Sequence, residues 1–192
     1  MLVAGFDPGG KGNNGIALIS DSEVRCATVD DARIAFRWLE ERAGHDLVAI
    51  GIDTFLHWEF ADHRPCDTWL RKRYTAVPKS VLHVNSTYGS MVVQGAIFGI
   101  EARKFWPSVV LNESHPKVLH YALTGRKIDY AQPCLEIFNI SINADSEHAT
   151  DALIAAAVTR RALLAPQDYH DLCETASNPT YPAGDAFYWW PN

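Results

Sequence analysis

Two short apolar runs in the first half of the chain each end in an aspartate, at 2–7 and 47–53. Each run has the length of one strand, and the second is apolar on both faces, as in a strand covered on both sides. Between them the pattern predicts two more strands, at 16–20 and 23–29, and a helix from Asp30 or Asp31 to Ala43. Three consecutive strands, a helix and a buried strand restrict the chain to few α/β folds.

The second half predicts mostly helices, and their order completes the expected fold. Helices are predicted over 87–105, from Ser114–Pro116 to Gly125, near 133–140, and over 147–164, with a fifth strand at 108–111. We therefore expect one domain over 1–192, a mixed five-stranded sheet with helices on both faces. It would carry a basic and aromatic insert at about 55–80 and an irregular tail over 165–192.

Charge and composition exclude some classes of protein. The formal net charge of -6 over 192 residues argues against a protein held to nucleic acid by bulk charge, although a local basic groove remains compatible with it. The four cysteines lack zinc-site spacing and are expected to be reduced thiols. We see no signal peptide and no run long enough to span a bilayer, so we expect a cytoplasmic protein without a membrane partner; the sequence is also compatible with a homodimer.

Three aspartates carry the expected chemistry. Asp7 and Asp53 end two apolar strands, and ligands of α/β sheets bind beyond such ends. If the two strands are neighbours, the carboxylates face each other and require a proton or a cation between them. Asp151 lies early in the last helix, with His148 at i-3 on the same face. All-oxygen ligands suit Mg²⁺ or Mn²⁺, so the sequence predicts a site for that metal.

Each of these residues also has a simpler interpretation. An aspartate at a strand end is often a turn or cap residue, and one near a helix N-terminus often only favours the helix dipole. The occurrence of all three in this order favours the metal site. Glu113 is either a fourth catalytic carboxylate or a dipole-favouring residue, and His148 is either a ligand or general base, or a surface histidine.

A basic and aromatic segment follows Asp53 and could contact nucleic acid. Cations for phosphates and aromatic rings for stacking suit a nucleic-acid groove. The candidate contacts in the segment are Arg64, Arg71, Lys72, Arg73, Lys79, Trp69 and Tyr74. Lys11, in the glycine-rich turn over 8–15, could approach a phosphate, although a tight strand turn explains that segment as well. The alternative for the basic segment is a solvated loop.

Several motifs resemble known families. Phe6-Asp7-Pro8-Gly9 together with His148-x-x-Asp151-Ala152-Leu153 resembles the RuvC-type Holliday junction resolvases of the ribonuclease H-like superfamily. Asn112-Glu113-Ser114-His115-Pro116, Leu123-Thr-Gly125 and Trp189-Trp190-Pro191 are similar to the DUF429 family of predicted ribonuclease H-like nucleases. Lys117 stands where DUF429 members often carry Glu, and Asp53 stands where the resolvases usually have Glu.

The resemblance implies a ribonuclease H-like fold and a metal-dependent nuclease, a hydrolase that uses two divalent ions. Asp7 would bridge both ions, Asp53 and Asp151 would each hold one, and His148 would be a further ligand or the general base. A different class remains open, a non-catalytic nucleic-acid-binding or regulatory module on the same fold. A relative of the sugar-kinase and actin ATPases is a third hypothesis, and the short chain disfavours it.

Overall fold

The computed structural model of the chain describes residues 1–59, 64–77, 79, 81, 89–130, 139–140, 142 and 144–192. These residues form an α/β fold. The longer strands are β1 (Leu2–Asp7), β2 (Asn14–Ile19), β3 (Val24–Val29), β4 (Leu47–Ile52) and β6 (Val110–Glu113), and the short ones are β5 (Trp58–Glu59), β7 (Tyr169–Asp171), β8 (Pro179–Thr180), β9 (Ala186–Phe187) and β10 (Trp189–Pro191). The α-helices are α1 (Ala32–Ala43), α2 (Pro65–Arg73), α3 (Gly89–Phe105), α4 (Pro116–Thr124) and α5 (Glu147–Leu164).

The central sheet is mixed, as the sequence predicted. In the described part of the chain its order is β3-β2-β1-β4-β6-β9. β1, β2 and β3 are antiparallel, whereas β4, β6 and β9 continue parallel to β1. Phe6 pairs with Ile52, and Ile52 pairs with Glu113, so the carboxyl ends of three neighbouring strands lie at one edge. β9 adds a sixth strand to the five that were expected.

Helices cover both faces of this sheet, which confirms the expected layering. On one face, α1 and α3 bury an apolar cluster in which Phe6 stacks on Phe98 with ring centroids 4.1 Å apart. On the other face, α4 and α5 pack with the C-terminal segment around a second cluster that includes Leu153 and Trp190. Each sheet face therefore has its own core.

Helix α5 lies unusually close to the sheet because three facing strand residues are glycines. A Cβ atom at Gly5, Gly15 or Gly51 would collide with the backbone of α5, at Ala152, His148 and Ala155 respectively. The α5 face is rich in buried alanines, which keeps the spacing small. This contact fixes the first turns of α5 above the carboxyl end of β1.

The helix boundaries follow the local signals in the sequence. The Asp31 side chain accepts hydrogen bonds from the backbone N–H groups of Arg33 and Ile34 at the start of α1. The Ser146 hydroxyl accepts from the N–H of Ala149 at the start of α5. Gly125 ends α4 in the left-handed conformation, with φ of 69°. These ends agree with the predicted helices within two residues where the structure describes them.

Two segments differ from the sequence-based expectation. The insert at 55–80 contains α2 and the short strand β5. The tail contains four short strands, and its Tyr188 and Trp190 side chains are fully buried. Strands of two or three residues carry too little periodicity to be recognised, and they form here because each pairs with a distant segment. Of the helix predicted near 133–140, residues 133–138 lie outside the described residues, and 139–140 are not helical.

A membrane-spanning helix was not expected from the sequence. Among the residues that the structure describes, none of the helices combines the length and the apolar character needed to cross a bilayer.

Candidate metal centre

Three elements bring Asp7, Asp53 and Asp151 together; we call these three residues the aspartate site. Asp7 is the last residue of β1, and Asp53 follows β4 directly. The backbone N–H of Asp53 donates to the carbonyl of Phe6 over 2.9 Å, which holds the two strand ends side by side. Asp151 is carried over them by α5. The structure thus places the three residues near one another at the edge of the sheet where the sequence predicted a site.

The carboxylates of the aspartate site repel one another. Burial raises the pKa of Asp7 well above its ordinary value, and the charge of Asp53 raises it further. Burial likewise raises the pKa of Asp151, with contributions from the charges of Asp7 and Asp53. The Lys117 ammonium opposes both shifts without cancelling them. The site therefore favours an added positive charge, either protons or a cation.

Four polar side chains contact the aspartates. The Nδ1 atom of His148 lies 2.6 Å from Oδ2 of Asp7. The Tyr130 hydroxyl lies 2.9 and 3.0 Å from the two Asp151 oxygens and donates to that carboxylate. The Lys117 ammonium is 3.8 Å from Oδ2 of Asp151.

The fourth contact is made by His115 at the Asp53 carboxylate. Its Nδ1 lies 3.3 Å from Oδ1 of Asp53. Burial alone would lower the pKa of His115, but the hydrogen bond to Asp53 and the charges of Asp53 and Glu113 raise it overall. Its Nε2 is buried and has no hydrogen-bond partner among the described residues. His115 occupies the N-cap position of α4, but its side chain makes no capping hydrogen bond.

The donor set of the aspartate site fits a hard divalent cation. Three carboxylates and one imidazole provide oxygen and nitrogen atoms of the kind that Mg²⁺ and Mn²⁺ accept, and no described cysteine contacts them. The carboxylate oxygens are spread apart: in the described part of the chain, the group whose ligand atoms all lie within 4.8 Å of one another is Asp67, Glu113 and His115 instead. The aspartate site is thus an open arrangement rather than a closed cage.

The carboxylates of Asp67 and Glu113 are already bound by a buried arginine. We call Arg64, Asp67, Glu113 and His57 the arginine cluster. The Arg64 guanidinium donates to both carboxylates over 2.6 to 2.9 Å and contacts His57. Burial alone would raise the pKa of Glu113, but the Arg64 charge and the hydrogen bonds from His57 and Arg64 hold it well below its ordinary value. A divalent cation there would have to displace a fully buried arginine.

This cluster changes the expected roles of two residues. Arg64 is 0% exposed, so it has no surface with which to contact a phosphate, and the sequence-based expectation of nucleic-acid binding by Arg64 is corrected. Glu113 is also 0% exposed and bonded to Arg64, so it acts as the partner of a buried cation rather than as a free fourth carboxylate. Both were assigned from their position along the chain, where their mutual contact across 49 residues is invisible.

The other candidate nucleic-acid contacts lie mostly on the surface. Lys72, Arg73 and Lys79 are exposed, Trp69 is 39% exposed, and Arg71 donates to the carbonyl of Val81. In the described residues no hydrogen bond or ion pair joins them to the aspartate site. Their contact with nucleic acid stays a prediction.

The glycine-rich turn that carries Lys11 is held in shape by Asn14. The Asn14 side chain accepts from the N–H of Gly9 and donates to the carbonyls of Gly10 and Asp30. Lys11 is exposed at the tip of this turn. The structure therefore supports the tight strand turn and leaves contact of Lys11 with a phosphate as a prediction.

Three residues of the site were not identified as such from the sequence: Tyr130, Lys117 and His115. Lys117 and His115 flank Pro116 at the start of α4, directly after a strand whose end lies at the site edge, and that position was the available signal. Tyr130 lies in an irregular segment and gave no signal.

Comparisons with protein-family models, curated proteins and solved structures find no match for this chain.

Proposed function

We propose that the protein is a metal-dependent nuclease that hydrolyses phosphodiester bonds of nucleic acid at the aspartate site. The observation that supports this most is the mutual repulsion of Asp7, Asp53 and Asp151, two of them buried. Among the described residues, the Lys117 ammonium offsets this repulsion only in part. Holding such charges close together lowers the stability of the folded protein, and a bound cation would relieve the repulsion between them.

The fold is compatible with the proposal. An antiparallel β1-β2-β3 meander, continued by parallel strands after a helix, is the order expected for a ribonuclease H-like fold, which we propose here. The aspartates lie at the end of the first strand, after the fourth strand and in the last helix, as in the resemblance to the RuvC-type resolvases and the DUF429 family. The resemblance and the geometry therefore point to the same residues.

Each side chain has a role that follows from its contacts. Asp7, Asp53 and Asp151 would hold Mg²⁺ or Mn²⁺, which supplies activation of water and stabilisation of the leaving oxygen. His148, on the Asp7 carboxylate, is positioned to take a proton from the attacking water. Tyr130 orients the Asp151 carboxylate through both oxygens. His115 orients Asp53 in the same way.

The test compares two matched substitutions. Asp7→Asn removes one charge from the site, whereas Asp46→Asn makes the same change at an exposed position at the other end of β4. Single-stranded, double-stranded and branched DNA and RNA are incubated with each protein and Mn²⁺ or Mg²⁺. We expect metal-dependent cleavage by wild type and Asp46→Asn and none by Asp7→Asn. Absence of cleavage by the wild type on every substrate, or equal cleavage by Asp7→Asn, would refute the proposal.

A second candidate function is a non-catalytic nucleic-acid-binding or regulatory module. The burial of Arg64 favours the regulatory form of this module, because the basic segment after β5 then offers fewer cations to a phosphate backbone. Nucleic-acid binding by the wild type without turnover, unchanged in Asp7→Asn, would support this function over the nuclease.

A further inference from the structure

Lys117 occupies one side of the aspartate site. It lies in the first turn of α4, and its ammonium is 3.8 Å from Oδ2 of Asp151. The same ammonium lies over the ring of Tyr130, 5.6 Å from the centroid, so the ring face and the carboxylate hold it from two directions. Its side chain is 43% exposed, which leaves it open to a substrate at the surface.

The Lys117 ammonium lies beside the Asp151 carboxylate, and its charge lowers the pKa of both Asp151 and Asp7. Asp151 is further engaged by the Tyr130 hydroxyl through both oxygens. This side of the site therefore already has a cation and a hydrogen-bond donor.

The side formed by Asp7 and Asp53 differs. Each of these carboxylates is contacted through one oxygen, Oδ2 of Asp7 by His148 and Oδ1 of Asp53 by His115. The other oxygen of each is not used by these contacts. The Asp53 side chain is also the most accessible of the three, at 26% exposure. A metal ion that needs oxygen ligands and room for water finds both on this side.

We propose that the aspartate site holds one divalent ion, between Asp7 and Asp53, and that the Lys117 ammonium supplies the positive charge of a second ion at the leaving group. This inference rests on the proposed nuclease function. The oxygen of water bonds to phosphorus while the bond from phosphorus to the leaving oxygen breaks. The leaving oxygen keeps that electron pair and takes a proton from Lys117, which solvent reprotonates, and the proton of water passes to His148. The products are a phosphomonoester and an alcohol.

The test is the number of Mn²⁺ ions bound by the protein without substrate, measured by calorimetry and by electron paramagnetic resonance. We expect one ion per chain for the wild type. Lys117→Glu replaces the cation by a carboxylate beside Asp151 and is expected to bind two ions. Lys117→Gln is expected to bind one ion and to cleave at least 100-fold more slowly, with little change in KM. The control Lys127→Gln, at an exposed position beyond α4, is expected to match the wild type in both measurements.

The outcomes separate this inference from the proposed function. Two ions or none in the wild type, or cleavage by Lys117→Gln at the wild-type rate, would overturn the role of Lys117. A folded Lys117→Glu variant that still binds one ion would do the same, and if that variant does not fold, the wild type and Lys117→Gln decide. Wild-type cleavage with two bound ions leaves the nuclease proposal intact, whereas a wild type that binds one ion but cleaves no nucleic acid refutes the nuclease.

Discussion

The aspartate site and the arginine cluster are two groups of mostly buried carboxylates at the same edge of the sheet, and they differ in how their negative charge is compensated. In the arginine cluster, Arg64 donates four short hydrogen bonds to Asp67 and Glu113, and the pKa of Glu113 is lowered. In the aspartate site, the pKa values of Asp7 and Asp151 are raised. His115 contacts Asp53 on one side and lies 4.0 Å from Glu113 on the other, so it joins the two groups.

The difference shows that proximity of acidic side chains is a poor guide to a cation site. The more tightly grouped carboxylates carry their own permanent cation, which is part of the folded structure. The more widely spaced ones carry unbalanced charge, and unbalanced buried charge is what a metal ion can relieve. If this distinction is correct, changes to the two groups must affect stability and metal binding differently.

Removal of the internal cation has the largest expected effect. Arg64→Ala leaves Asp67 and Glu113 buried without the guanidinium that binds both of them, and breaking a buried ion pair in this way costs about 3–5 kcal/mol. The control is Arg73→Ala, at an exposed position of α2, with an expected change within about 0.5 kcal/mol. Urea unfolding measures both. A loss below 1 kcal/mol for Arg64→Ala would mean that Arg64 does not stabilise the two buried carboxylates.

A change in the spacing between α5 and the sheet is expected to affect the aspartate site selectively. In Gly15→Ala the new methyl group collides with the backbone at His148, and overpacking of this kind costs about 1–3 kcal/mol. Because α5 carries His148 and Asp151, we expect Mn²⁺ binding to weaken at least tenfold. Gly10→Ala is the control, since a Cβ there meets nothing within 4 Å. Unaltered Mn²⁺ affinity in a folded Gly15→Ala protein would contradict this coupling.

Asp7→Asn is expected to stabilise the metal-free protein while it abolishes metal binding. The substitution removes a buried charge that Asp53 and Asp151 repel, and a tenfold change in proton affinity corresponds to about 1.4 kcal/mol, so a gain of about 1 kcal/mol at neutral pH is expected. Thermal unfolding in the presence of a chelator measures it. Glu113→Gln is expected to destabilise the protein instead, because it removes a carboxylate that binds Arg64. Destabilisation by Asp7→Asn under these conditions would show that its charge is already balanced.

The smallest expected effect is on the pH dependence of stability, which should have opposite signs for the aspartate site and for Glu113 of the arginine cluster. A raised carboxyl pKa in the folded state means that stability falls as pH rises through that pKa, as for Asp7 and Asp151 above the ordinary value of 3.8. His115, whose pKa is raised, acts in the same direction. The lowered pKa of Glu113 contributes stability above its ordinary value of 4.5 that is lost as pH falls.

Urea unfolding of the metal-free protein across pH 4–9 tests these signs. We expect stability to decline towards higher pH in the wild type and to decline less in Asp7→Asn. Addition of Mn²⁺ should also reduce the decline, because the ion takes over the role of the protons. Parallel profiles for the two proteins would contradict the assignment of the decline to Asp7.

The sequence predicted the elements that carry the three aspartates better than it predicted the side chains around them. Apolar runs that end in Asp7 and Asp53, and a capped helix that carries Asp151, are local patterns, and the structure has strands and a helix at these positions. The pairing of β1 with β4 was a condition of the predicted site, and in the structure these strands pair in parallel. These features depend on short stretches of chain and on simple rules of connection, which a single sequence contains.

The electrostatic partners could not be predicted in the same way. Arg64 was grouped with the basic residues that follow it, although Asp67 lies only three positions away. Its second partner, Glu113, is 49 residues distant, and nothing in the intervening sequence indicates that contact. The tail presents the same difficulty, since β9 and β10 are too short to show a pattern and depend on partners elsewhere in the fold. Long-range pairing decides such features, and it is established only in the folded chain.

The three glycines beneath α5 have a consequence for the order in which the molecule opens. Because Gly5, Gly15 and Gly51 seat the helix directly on the middle strands, its amides should be among the slowest to exchange with deuterated solvent. His148 and Asp151 are carried by that slowly exchanging unit, as is Asp7 on β1. Partial opening of the short C-terminal strands would then leave the carboxylates in register, so the capacity to capture a cation would persist until the whole domain unfolds.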